Sequence, residues 1–220
     1  MDVLYFLKER TKFIRHFYEA AAKPFRETLR RIEAGEAPFD VRPYGEDGEP
    51  PFMQEWSEAS TALDVLRRSC LSMLSASLQL YFKTLESELS VTLLPGERRN
   101  TFKKGLRHYF TKAFNVPWSD CPANIDIVEQ IILVRNRDQH PDHITTLHVS
   151  YDRRTRENYG ELFFASETER RMFADPDMAG ISWMNPTVHV SHEALLAAIQ
   201  QVEILSEWLE NRTRAIKYRR

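Results

Sequence analysis

Apolar positions in residues 2–36 return at helical spacing. Leu4, Leu7, Phe13, Phe17, Ala20 and Ala21 form one side, and lysines, arginines and glutamates take the other. The pattern predicts a long amphipathic helix that Pro24 kinks or divides and Gly35 stops. Ala37 to Pro51 holds four prolines and two glycines, so residues 37–54 read as a mobile loop. The strongest periodicity spans 55–90, where Trp56, Ala59, Leu63, Leu66, Cys70, Met73 and Ser77 follow alternating steps of three and four. Leu74, Leu78, Tyr81, Leu85 and Leu89 widen that stripe into the broad face of a bundle helix.

After Pro95-Gly96 a basic helix is expected over 97–114. Arg98, Arg99, Lys103, Lys104, Arg107 and Lys112 face only Glu97, and Phe102, Leu106, Tyr109, Phe110 and Phe114 supply its apolar side. A nearly all-apolar helix follows over 123–139 and is expected to be central. Beyond Pro141 the period drops to two, with strands expected at 145–151, 162–165 and 188–190. A short helix after Ser166 carries Glu169 in capping-box position. Ser191 then caps a final helix reaching about residue 217, with Leu195, Ala198, Ile199, Val202, Leu205, Trp208 and Leu209 on its core side. The expected fold is all-α dominated: one antiparallel helical bundle over 1–220, with a small β-rich insertion at 144–190 before the last helix.

Composition narrows the function. The 220 residues are 42% hydrophobic, enough for a core, and the formal charge of −2 excludes a general polycation. Nucleic-acid binding therefore needs a local basic surface. Cys70 and Cys121 cannot build a disulfide framework or a zinc ribbon, and read as buried or semi-buried thiols. Val3–Leu7 is too short for a secretory apolar core, and no window approaches a membrane span, so a cytoplasmic protein without membrane contact is expected.

Candidate chemistry gathers in IVEQIILVRNRDQHPDHI, residues 127–144, where a long apolar helix delivers Arg135 and Asn136 and ends near His140. Three Arg–His pairs have a comparable spacing, Arg10/His16, Arg135/His140 and Arg137/His143, and about two are expected by chance. Context separates the second pair: Asn136, the preceding apolar helix, and a final amphipathic helix downstream. Five helical residues turn through about 140°, so Arg135 and His140 share a cleft only if the chain leaves the helix at His140. The proline that follows disfavours helical dihedrals there.

This arrangement resembles the HEPN superfamily (higher eukaryotes and prokaryotes nucleotide-binding domains), helical bundles with Arg, four to six residues, then His late in the bundle. The resemblance implies a metal-independent endoribonuclease of toxin or defence type, with no cofactor. Arg135, Asn136 and His140 would be catalytic, a homodimer would join two motifs at one cleft, RNA would be the substrate, and an antitoxin could be a partner. RNA-binding candidates are Arg98, Arg99, Lys103, Lys104 and Arg107, with His108 and Tyr109 among them, and the group Arg137, Arg153, Arg154 and Arg156. Two other readings stand beside it: a non-catalytic module binding nucleotide, RNA or protein, and more distantly a metal hydrolase using His140, His143, His148, His189 and His192. The last lacks HExxH, and no metal site is expected.

Overall fold

A computed structural model describes residues 2–41, 50–90, 105–114, 118, 120–140, 149–152, 155, 159, 161–174 and 185–217. These form six helices: α1 (Val3–Ala34), α2 (Met53–Glu88), α3 (Leu106–Phe114), α4 (Ile125–Gln139), α5 (Glu167–Ala174) and α6 (His192–Lys217).

α1 begins where the Asp2 carboxylate accepts from the Tyr5 N–H at 2.9 Å, and ends at Gly35, whose φ of 62° a side chain would strain. Its buried stripe is Val3, Leu7, Thr11, Ile14, Tyr18 and Ala22. Phe13 and Phe17, expected in the core, are exposed instead, because the buried stripe runs beside theirs. Pro24 does not divide the helix. Pro24 and Ala20, whose carbonyl it leaves without a helical donor, are both exposed, so water can take that bond.

α2 returns antiparallel to α1. Arg67 Nε approaches Tyr18 Oη at 3.4 Å near one end, while Val3 and Leu7 meet Ser77 and Tyr81 near the other. Phe39 and Phe52 pack edge to face at 5.0 Å across the connection, of which 42–49 lie outside the described residues. Most of the broad stripe expected for α2 is its core face, from Ala59 and Leu63 through Cys70, Leu74 and Leu78 to Leu85, but Trp56, expected to begin it, is exposed. Burial pushes the Cys70 thiol up to about 11, so it stays protonated and inert at neutral pH.

α6 closes the bundle antiparallel to α1, through Lys8–Glu207 at 2.6 Å and a Thr11 hydroxyl donating to Glu203 at 2.6 Å. Tyr18 and His192 stack at their common end, where Arg26 donates to His192 Nδ1 at 3.1 Å. The Ser191 hydroxyl caps the helix by accepting from Ala194 N–H at 3.0 Å, and every expected core residue of α6 is buried.

Between α4 and α6 the described residues contain no strand. One antiparallel bridge joins Ser150 and Thr187, with Val188 N–H donating to the Val149 carbonyl at 2.7 Å. The expected strand at 162–165 is a turn. Its backbone finds partners elsewhere: Gln130 on α4 accepts from Phe163 N–H at 2.8 Å and donates to the Glu161 carbonyl at 3.0 Å, and the Phe164 carbonyl takes His189 N–H at 2.8 Å. Residues 145–148 lie outside the described set. None of the described helices is long and apolar enough to cross a membrane.

Candidate active site

α4 places the candidate residues. Asn124 caps it, accepting from Asp126 and Ile127 N–H, and Ile125, Val128, Ile131 and Val134 bury its inner side. The C-terminal half is tied down twice. Asp138 accepts from Arg68 Nε at 3.0 Å on α2, with side chains only 22% and 16% exposed, and Arg137 pairs with Asp152. The N-terminal half is held by Glu129, which accepts from Leu106 N–H at 2.6 Å and from the Tyr159 hydroxyl at 2.9 Å. Burial and the Glu129 charge raise the Tyr159 pKa, keeping that hydroxyl a donor. Gly105 approaches the same carboxylate so closely, at a φ of 96°, that a Cβ there would lie 2.8 Å from its oxygen.

The helix stops at Gln139, and His140 adopts φ −130° and ψ 62°, outside helical dihedrals, its N–H still donating to the Asn136 carbonyl at 3.1 Å. His140 and Asn136 are exposed. Arg135 is half-buried, and its Nη1 donates to Asn136 Oδ1 at 2.9 Å. Its Nε is buried and has no hydrogen-bond partner among the described residues. A buried guanidinium donor without a partner is costly.

The RNA-facing candidates divide. Arg98, Arg99, Lys103, Lys104, Arg153, Arg154 and Arg156 lie outside the described residues. Arg107 is exposed, 3.6 Å from Asp126 in the first turn of α4. Fourteen helical residues, about 20 Å, separate that turn from His140, so Arg107 is not brought to the Arg135 end. Tyr109, expected to face RNA, is wholly buried against Phe82 and Phe110. Tyr109 and Phe110 both face Phe82 in the core.

The histidines of the metal reading also divide. His192 is engaged with Tyr18 and Arg26, His189 is half-buried beside Phe164, and His143 and His148 lie outside the described residues. Among the described residues no group of three or more His, Cys, Asp or Glu is placed to hold a metal ion.

Sequence reading missed Arg68, Asp138, Glu129 and Gln130, which hold α4 in place. Each is an ordinary polar residue whose partner lies 23 or more positions away, and one sequence carries no signal of such pairing. Compared with known proteins, the chain matches no family model, no curated protein and no solved structure.

Proposed function

We propose that the chain is a metal-independent endoribonuclease whose reacting centre is Arg135, Asn136 and His140. The observation that carries the reading is Arg135: a half-buried guanidinium whose Nη1 donates to Asn136 and whose buried Nε has no partner among the described residues, at a helix end that also exposes an imidazole. In the reaction a ribose 2′-OH attacks the adjacent phosphate, leaving a 2′,3′-cyclic phosphate and a 5′-OH. His140 transfers a proton, as base to the attacking hydroxyl or as acid to the leaving oxygen. Arg135 holds the non-bridging oxygens as their charge grows. Asn136 fixes the guanidinium plane. The resemblance to HEPN domains adds a second protomer's motif for the complementary proton transfer, a cytoplasmic setting, and a cognate antitoxin as a possible partner.

A second reading has its own support. Arg107 is remote and Arg137 is engaged with Asp152, which among the described residues leaves few cations at the α4 end and suits a module that binds a nucleotide or a short RNA without cutting it. Substitution separates the two. His140→Ala is expected to lower the cleavage rate at least 100-fold with RNA affinity nearly unchanged, while Arg135→Ala lowers both. Cleavage that survives both substitutions removes the ribonuclease proposal, and RNA binding without cleavage by the unsubstituted chain establishes the module.

A further inference from the structure

Two ion pairs brace the C-terminal end of α4, and they differ in their access to water. Arg68–Asp138 is shielded, with side chains 16% and 22% exposed, whereas the side chains of Arg137–Asp152 are 36% and 42% exposed. Breaking a shielded pair strands a charge away from water. An exposed pair is worth little to folding, so its members can change partners at small cost.

Asp152 keeps its place without Arg137. Its Oδ1 accepts from the Thr155 N–H at 2.6 Å, and its Oδ2 pairs with Arg137. Next to it Tyr151 is buried, its N–H donating to the Pro186 carbonyl at 2.9 Å and its hydroxyl to the Phe164 carbonyl at 3.3 Å. Arg137 is equally well placed for the α4 end. On the regular turn before Gln139, Arg135 and Arg137 lie about 100° to either side of Asn136. The two arginines therefore flank the exposed strip that carries Asn136 and leads to His140.

We infer that Asp152 is an autoinhibitory carboxylate, occupying Arg137 until an RNA phosphate displaces it and Arg137 becomes a second phosphate ligand beside Arg135. The inference rests on the reading of the α4 end as an RNA site, and it holds whether that site cuts or only binds. A guanidinium takes a carboxylate and a phosphate with the same fork of donors, so the exchange conserves the bonds of Arg137. Asp152 retains its Thr155 bond and turns its free oxygen to water. The affinity for RNA is held down by the need to break the Asp152 pair first.

The test is equilibrium binding of a 2′-O-methyl single-stranded oligoribonucleotide, which has no 2′-OH with which to cut itself, across a salt series. Asp152→Asn and Asp152→Ser both remove the charge and keep an oxygen for the Thr155 N–H. Each is expected to tighten binding about threefold, within the range of an exposed ion pair. Each should also steepen the fall of log affinity with log salt by about 0.7, the contribution of one more phosphate on a single strand. Arg137→Gln in the same chain should cancel both gains, whereas a general effect of net charge would survive it. Binding that is lost in Arg135→Ala but unchanged by both Asp152 substitutions overturns this inference and spares the site. Gains that persist with Arg137→Gln overturn it too. Gains cancelled by Arg137→Gln, in a chain that leaves ordinary RNA intact, support it and remove only the ribonuclease proposal. Binding by none of the proteins overturns both.

Discussion

Glu169 gathers four donors on one carboxylate. Ser166 supplies its N–H and hydroxyl, at 3.3 and 2.9 Å, and Thr187 its N–H and hydroxyl, at 2.8 and 2.6 Å. Burial pushes its pKa up, but those bonds outweigh burial and leave it below the ordinary 4.5. A folded pKa below the unfolded one means stability that is complete above about pH 4.5 and is lost as pH falls through the folded value. Glu169→Gln should therefore lower stability at pH 7 by about 1–2 kcal/mol, with the two proteins converging in acid. Urea unfolding from pH 3 to 7 measures this, and a constant gap across that range would contradict it. The capping box here was legible from Ser166 and Glu169 alone. The bonds to Thr187 were not, because they join segments 18 positions apart.

At the scale of elements, local rules located the helices well and their faces less well. Asn124, Ser191 and Gly35 act where capping chemistry places them. Pro24 illustrates the limit. Its local cost is real, yet packing along both sides of the 32-residue α1 carries the helix through it. Pro24→Ala should raise stability by about 1–3 kcal/mol, read from chemical denaturation, and a neutral or destabilising result would mean the proline fits its site without strain. The stripe containing Phe13 and Phe17 was misassigned for a different reason. Two apolar stripes lie side by side on α1, and periodicity cannot say which one a partner helix covers. The expected strand at 162–165 is a turn instead, and Gln130 takes up the backbone groups of Glu161 and Phe163. Asp138→Ala tests how α4 is anchored. Leaving Arg68 without its carboxylate should cost about 1–3 kcal/mol and slow RNA cleavage, while Asp138→Glu should restore part of both. Full activity in a destabilised Asp138→Ala would show that the α4 end does not need that anchor.

For the whole molecule, the charge of −2 required positive charge to be concentrated locally. In the described residues Arg107 and Arg135 sit at opposite ends of α4, and Arg137 is neutralised by Asp152, so the site rests on Arg135 more than on a broad basic face. The candidate triad was legible because it lies within six positions of one helix end. The frame that orients it, from Arg68, Glu129 and Asp152, was not, since it depends on tertiary pairing. The most direct measurement is to incubate the chain with single-stranded and transfer RNA in excess EDTA and identify the new ends. New 2′,3′-cyclic phosphates and 5′-hydroxyls, absent with His140→Ala, are the predicted result. Intact RNA, cleavage only after a divalent metal is restored, or the same ends from His140→Ala would contradict it.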